Sequence, residues 1–340
     1  MAPPSTVTKL VDISDRFSGP CKFYFKMETE QPSGSFKLRG ISKLIEQSVD
    51  KAKRKGKKAH VFSSSGGNAG LASAYASRHH QVPCTVVLPI TSKQVAIDKL
   101  KSYDAEVIIH GAHWGEADEY LKKTVISKAA AEIEAVYCHP FENEMLWDGH
   151  GDLVDEIYEQ LTEQQVDPAR VKGIVLSVGG GGLYNGVVTG LRRNQDLKNV
   201  PIMAMETIQT NSFSQAVKAN KVVTLHKIET IVTSLAAPAI SSTTLEYSKL
   251  HPTFVEQVDD LEAVKGSLDY YDRLGALIEP ACGATIVTAT SRQDLLEKFG
   301  DLNKDDIIIF IVCGGSGVSE ADIDKYRALV LAANENESHA

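Results

Sequence analysis

Ile174-Val175-Leu176-Ser177-Val178-Gly179-Gly180-Gly181-Gly182-Leu183 begins with aliphatic and β-branched residues, meets four glycines, and continues as a helix-forming run to Arg193. An apolar run that ends in glycine and restarts as a helix predicts a strand–turn–helix unit. Four glycines together are costly in ordered structure, so the backbone there either approaches something closely or takes positive φ. At the junction of a strand with a helix N-terminus, their amides make a nest suited to a phosphate. A tight turn alone is the other reading. Two nucleotide patterns do not fit: a Rossmann spacing needs glycine at 184, where Tyr184 stands, and a P-loop needs Gly-Lys where Gly186-Val187 stands. A phosphate cradle that is not a dinucleotide site is favoured.

The same alternation runs outward in both directions. Strands are expected at 21–27, 59–62, 83–89, 105–110, 135–137, 172–178, 202–206 and 306–312. Helices are expected at 41–49, 71–78, 93–103, 116–134, 153–164, 183–193, 211–219, 261–274 and 284–299. Such alternation implies βαβ units and mostly parallel sheets. At 340 residues the chain has room for two lobes. No linker separates them, so one is expected to be inserted within the other or packed closely on it, with a ligand cleft between.

Four further stretches carry candidate chemistry. Gln31-Pro32-Ser33-Gly34-Ser35-Phe36-Lys37-Leu38-Arg39-Gly40 is turn chemistry feeding a helix, with one lysine beside one aromatic ring. Lys37 is either a desolvated, nucleophilic amine or an ordinary surface lysine of a first turn. Ser63-Ser64-Ser65-Gly66-Gly67-Asn68-Ala69-Gly70 offers amides and hydroxyls for a carboxylate, or simply caps a helix. Cys313-Gly314-Gly315-Ser316 ends an apolar strand, and no histidine neighbours the cysteine to activate it. Glu206 closes the strand Met203-Ala204-Met205-Glu206, as a cleft carboxylate or as an ordinary strand-end charge.

Composition narrows the class. A net charge of -8, with one short basic run at 51–58, argues against a nucleic-acid partner. That run reads as a solvated helix end. Five scattered cysteines without a Cys-x-x-Cys pair argue against a disulfide framework or a zinc site, and point to reduced thiols in the cytoplasm. No apolar run has membrane-spanning length, and residues 1–11 have no signal or transit pattern.

Taken together, Pro32-Ser33-Gly34-Ser35-Phe36-Lys37-Leu38-Arg39-Gly40, Ser64-Ser65-Gly66-Gly67-Asn68-Ala69-Gly70, Ser177 to Leu183, Glu279-Pro280-Ala281-Cys282-Gly283-Ala284 and Val312-Cys313-Gly314-Gly315-Ser316 resemble one family. It is the fold-type II pyridoxal-phosphate enzymes, specifically the catabolic L-serine/L-threonine dehydratases (ammonia-lyases). The motifs stand in the family's order, and the resemblance covers nearly the whole chain, from about residue 21 to 320. The resemblance implies an α/β fold of two open-sheet lobes, like the tryptophan-synthase β chain, with the cofactor in the interdomain cleft. Residues 1–40 and 138–340 would form the large cofactor-binding domain and 41–137 the small one.

The resemblance also implies roles. Lys37 would bond the aldehyde of pyridoxal 5'-phosphate and later remove the substrate α-proton. Phe36 would pack on the pyridine ring and Asn68 would bond its hydroxyl. Gly179, Gly180, Gly181 and Gly182, with the Leu183 amide, would hold the phosphate. Ser64, Ser65 and Gly66, with Asn68 and Ala69, would bind the amino-acid substrate. Cys313 would face the ring nitrogen, where a thiol makes a weaker electron sink than a carboxylate and favours prompt β-elimination. L-Serine would give pyruvate and L-threonine 2-oxobutanoate, each with ammonia. Ser65 is also the candidate second base that a racemase of this fold would need opposite Lys37. Glu206 and Ser212 match a monovalent-cation (potassium) site of relatives, near which Ser234-Leu235-Ala236-Ala237 departs from a family Ser/Ala-Leu-Gly. A homodimer is implied, and no C-terminal regulatory domain is expected beyond Cys313.

Overall fold

The structure, a computed structural model, describes residues 4–338. Among the described residues ten strands follow one another: β1 (Leu10–Asp12), β2 (Lys22–Lys26), β3 (Lys58–Ser63), β4 (Cys84–Leu88), β5 (Glu106–Ile109), β6 (Ile133–Tyr137), β7 (Val171–Ser177), β8 (Ile202–Thr207), β9 (Thr253–Val258) and β10 (Ile307–Ile311). The helices that matter for the site are α1 (Lys37–Arg54), α2 (Asn68–His79), α3 (Gln94–Ser102), α4 (Trp114–Tyr120), α5 (Glu144–Glu163), α6 (Gly182–Arg193) and α7 (Ser212–Ala219). The expected α/β alternation is present, and the chain forms two compact units, residues 1–6 with 31–150 and residues 7–30 with 151–340. The flanks 31–40 and 138–150 group with the smaller unit, which keeps α1 whole.

The smaller unit holds a parallel four-stranded sheet in the order β5-β4-β3-β6. Every residue of β4 is buried, as expected for a parallel strand covered on both faces. α1 presents Leu38, Ile41, Leu44, Ile45, Val49 and Ala52 at helical spacing to the same core as Val61, Val86 and Leu88. The basic run is a helix end: α1 stops at Arg54, and Lys51 and Lys55 pair with Glu134 at 3.6 and 2.8 Å.

The larger unit holds six strands in the order β1-β2-β10-β7-β8-β9, parallel except for β1, which runs antiparallel to β2. β10 is Ile-Ile-Ile-Phe-Ile and wholly buried. Inside this unit Lys26 is fully buried and satisfied three times, by Glu156 at 2.6 Å, the Thr8 carbonyl at 2.7 Å and Gln160 at 3.1 Å.

Two expected helices end early. The helix expected over 116–134 is α4 followed by a π turn at Leu121–Val125 and a 3-10 turn at Ile126–Lys128. Ala129 is already extended, because residues from Ile133 onward pair with β3 and sheet hydrogen bonding overrides helix propensity. The helix expected over 284–299 is Pro280–Ile286 and two 3-10 pieces, Val287–Ala289 and Gln293–Phe299. β9 gave little signal because it is an edge strand with five half-buried residues. β1 and the helices Ser242–Leu250 and Glu320–Ser338 were also not expected. Among the described residues no helix is long and apolar enough to cross a membrane.

α1 meets the first turns of α5 backbone to backbone. A Cβ on Gly40 would lie 2.4 Å from the Leu146 carbonyl oxygen and 2.6 Å from His150 Cε1, and one on Gly149 would lie 2.8 Å from the Arg39 carbonyl oxygen. Gly40→Ala is therefore expected to force the helices apart and to destabilise the protein by about 1–3 kcal/mol. Denaturant unfolding measures this, and an unchanged midpoint would contradict the packing described.

Candidate active site

In the smaller unit, β3 and β6 are neighbours although their helical connections leave in opposite directions. The crevice outside their carboxyl ends is where open α/β sheets bind ligands. Two of the expected stretches, 31–40 and 63–70, converge there. α1 begins at Lys37, so the lysine lies in the first helical turn with Phe36 as N-cap. Its half-buried amine donates to the Pro140 carbonyl at 2.5 Å, just beyond the end of β6, and sits 4.9 Å from the centre of the Phe36 ring. A turn fixes that carbonyl. His139 Nδ1 accepts the amides of Phe141 (3.3 Å) and Glu142 (2.9 Å), and Trp147 Nε1 donates to the Phe141 carbonyl at 2.8 Å. Burial pulls the His139 imidazole down to about 4, so it is neutral at ordinary pH.

Under Phe36 lies His150, fully buried and edge-on to the ring at 4.9 Å. Its Nδ1 accepts the Gly40 amide at 3.1 Å, one of the N-terminal N–H groups of α1. Burial, then the charges of Lys37 and Arg39, hold this imidazole well below its ordinary pKa. A neutral ring that accepts at Nδ1 carries its proton on Nε2.

The loop leaving β3 is tightly shaped. Ser65 N–H reaches Ser63 Oγ at 3.4 Å, Gly67 N–H reaches Ser65 Oγ at 3.3 Å, and a Cβ on Gly70 would overlap the Ser65 carbonyl at 1.7 Å. Ser65, Gly66 and Asn68 are half-buried, while Ser64 and Ala69 are buried. The hydroxyl of Ser64 donates to Asp118 at 2.7 Å, so this side chain acts as an anchor of the loop. α2 starts at Asn68 without a side-chain cap, unlike the capped-helix reading of this stretch. Its first turn is left to an anion.

In the larger unit, β7 and β10 are likewise neighbours, with β8 and β9 between them in the chain but on the far side of β7 in the sheet. The four glycines follow β7 and Cys313 follows β10. Gly181 is the N-cap of α6 at φ 94°, the left-handed region, and no side chain caps the helix. A Cβ there would come within 1.9 Å of Thr244 Oγ1. Ser241 N–H holds the Gly180 carbonyl at 3.0 Å, and Thr244 Oγ1 donates to Asn185 at 2.9 Å. Gly179 faces the turn Thr233–Leu235, where its Cβ would lie 3.2 Å from Leu235 Cα. The departure at Ala236 is unstrained. It sits at φ -72°, ψ 56°, and Ala237 N–H bonds the Leu235 carbonyl at 2.7 Å, an inverse γ-turn that needs no glycine.

Cys313 Sγ lies 3.5 Å from Ser177 Oγ, and Cys282 adjoins it. Burial pushes the Cys282 thiol well above its ordinary range. It stays protonated and hydrogen-bonds Cys313, drawing the second thiol's pKa down. Glu279 ties the two loops around Cys313, accepting the Ser234 hydroxyl and, at 2.9 Å, the Gly317 amide. Glu206 is fully buried at the end of β8 and accepts the amides of Phe213 (2.7 Å) and Ser214 (2.8 Å) at the start of α7. Burial pushes it up to about 8 although those two bonds pull the other way. The buried Ser212 Oγ makes no hydrogen bond among the described residues.

Asp118, Tyr137, His139, Pro140 and His150 were not singled out by the sequence as participants. Each lies in or just beyond a helix or strand and belongs to no motif. Only the pairing of β6 with β3 and the contact of α1 with α5 bring them to Lys37 and the serine loop.

The residues fit pyridoxal phosphate on structural grounds. An uncapped glycine N-terminus, where side chains are sterically excluded, suits its phosphate, and an amine fixed beside an aromatic ring suits its aldehyde and pyridine. Gly181→Ala is expected to strain the backbone by about 1–2 kcal/mol, on top of the clash with Thr244, and to weaken cofactor binding more than stability. Absorbance titration with pyridoxal phosphate, set against the thermal midpoint, separates the two. Unchanged cofactor affinity would refute the cradle.

Similarity to known proteins points the same way. The family described as pyridoxal-phosphate dependent enzyme matches residues 3–314. The catabolic L-serine/threonine dehydratase of Saccharomyces cerevisiae is 41% identical over 307 residues, covering 89% of this chain and 85% of that protein. The L-serine dehydratase/L-threonine deaminase of Mus musculus is 40% identical over 308 residues, 89% of each. The crystal structure of a fungal L-serine ammonia-lyase from Rhizomucor miehei superposes with a TM-score of 0.84 at 30% identity, over 95% of this chain and 98% of that one. The fold, the order of the motifs and these similarities agree, and the chain belongs to the pyridoxal-phosphate dependent enzymes of fold type II.

Proposed function

We propose that the protein is an L-serine/L-threonine ammonia-lyase, converting L-serine to pyruvate and ammonia and L-threonine to 2-oxobutanoate and ammonia. The observation that carries this reading is the Lys37 amine, fixed in the first turn of α1 by the Pro140 carbonyl beside the serine loop. Pyridoxal phosphate, when bound, supplies an aldehyde for amines and an electron sink for charge left at the substrate Cα.

The chain's own residues do the rest. Gly179 to Gly182 and the Leu183 amide hold the phosphate at the N-terminus of α6, and Phe36 and Asn68 hold the ring. Ser65, Gly66, Asn68 and Ala69, with the backbone of Ser64, orient the substrate carboxylate toward the first turn of α2. Lys37 Nζ removes the α-proton, and the Pro140 carbonyl is placed to accept a hydrogen bond from the resulting ammonium. Cys313 presents a thiol, not a carboxylate, to the ring nitrogen, which favours early loss of the β-hydroxyl over slower side reactions. Identity of 40% or more with dehydratases over 89% of the chain supports elimination as the outcome.

Lys37→Ala is expected to lower 2-oxo acid formation from either amino acid by roughly a thousandfold or more. A coupled assay for the 2-oxo acid with an ammonia readout measures it. Substantial turnover by the variant would overturn the assignment, and wild-type protein that accumulates D-serine without pyruvate would make it a racemase.

Glu206 and Ser212 are proposed to hold a monovalent cation, potassium by preference. A buried carboxylate needs a nearby positive charge to ionise, and among the described residues no ion pair supplies one. The pH dependence follows from the sign of the shift. Below about 4.5 Glu206 is protonated folded or unfolded; between about 4.5 and about 8 only the unfolded chain releases the proton, so stability falls as pH rises. A bound cation reverses that loss. The thermal midpoint in tetramethylammonium buffer is expected to fall from pH 6 to pH 8.5 and to recover with potassium, and Glu206→Gln is expected to abolish both responses. A potassium response that survives in the variant would place the cation elsewhere.

A further inference from the structure

The serine loop after β3 is assigned the substrate carboxylate, yet its own hydrogen bonds are long, 3.4 Å from Ser65 N–H to Ser63 and 3.3 Å from Gly67 N–H to Ser65 Oγ. A short side-chain tie runs from Ser64 Oγ to Asp118 Oδ1, at 2.7 Å and 54 residues away in sequence. Asp118 lies in α4, and the π turn that follows brings Lys122 back over it. Oδ1 also accepts Tyr137 OH at 2.5 Å, and Oδ2 pairs with Lys122 Nζ at 2.7 Å. The Lys122 ammonium stands 4.7 Å over the Tyr137 ring.

A carboxylate near a loop that must receive another carboxylate is repulsive unless its charge is compensated. Here it is: the Asp118 side chain is 9% exposed, and Lys122, Tyr137 and Ser64 all donate to it. Burial alone opposes the ionised form, but these donors outweigh it and leave the carboxyl below its ordinary pKa. An apolar residue at 118 would take this acceptor from the buried Ser64 hydroxyl and from the half-buried Tyr137 hydroxyl.

We propose that Asp118 is a positioning residue for substrate binding: through Oδ1 it fixes Ser64, and thereby the Ser63–Gly67 loop, in the shape that receives the amino-acid carboxylate. This rests on the reading of that loop given under the proposed function. Asp118 acts through Ser64 and does not touch substrate. Its removal affects the ground state and the transition state alike, so the loss appears in KM rather than kcat.

The test uses full-length holoenzyme, with L-serine turnover and with L-alanine, which carries the same carboxylate and amine but no β-hydroxyl to lose. L-Alanine binding is followed through the visible absorbance of the cofactor. Asp118→Ala is expected to raise the KM for L-serine and the Kd for L-alanine together by roughly tenfold, with kcat changed less than about threefold and cofactor affinity unchanged. Asp118→Asn keeps the Oδ1 acceptor and is expected to stay within about threefold of wild type. Ser64→Ala, which deletes the same bond from the loop side, is expected to match Asp118→Ala and carries the test should that variant not fold. The double variant is expected to lose no more than either single one.

Unchanged KM and Kd, losses confined to kcat or to the thermal midpoint, or additive losses in the double variant would each overturn the proposal. Wild-type protein that neither forms a 2-oxo acid nor responds to L-alanine would instead refute the functional reading on which it rests.

Discussion

The close approach of α1 to α5 at Gly40 and Gly149 is the constraint on which the reactive end of the molecule depends. A lysine amine is a long, flexible donor, and it does directed chemistry only if its first helical turn is rigid and its tip has a fixed resting place. Absence of two side chains lets the backbones touch, and the contact seats His150 beneath Phe36 and against the Gly40 amide. The imidazole is neutral because burial and two neighbouring cations make the charged form costly. It therefore supports the turn without adding positive charge beside Lys37.

Each sheet then repeats one solution. A chain that reverses the direction of its connections leaves a crevice at two adjacent strand ends. In the smaller unit those ends carry the serine loop and the carbonyl that holds Lys37; in the larger they carry the glycine run and Cys313. α2 in one unit and α6 in the other begin without a side-chain cap, and such N-termini suit anions. The backbone itself is the ligand-binding surface, which is why glycine and serine dominate these loops.

Buried charge is handled in three ways. Lys26 is paired and otherwise satisfied, so it anchors structure. Asp118 is ionised under three donors and spends its hydrogen bonds on shape. Glu206 has only two amides and burial wins, leaving a group that gains from an added cation. Asp118 meets less burial and more donors than Glu206, and both differences favour its ionised form.

The sequence by itself determined the fold class, because strand and helix periodicity are local properties, and its five motifs carried the resemblance that named the family. The same motifs carried Phe36, Lys37, Asn68, the glycine run and Cys313 as candidates. Only the tertiary structure decided which strand ends are neighbours: β10 joins β7 across more than a hundred residues, and β6 joins β3 across two intervening strands. Pro140, His150 and Asp118 acquire their roles from those pairings, through a carbonyl, a tautomer and an acceptor that no motif encodes. Only the structure shows that the departure at Ala236 leaves the backbone unstrained, since a negative φ asks nothing of glycine. What is fixed by distant chain segments meeting was invisible in one dimension; what is fixed by backbone chemistry within ten residues was not.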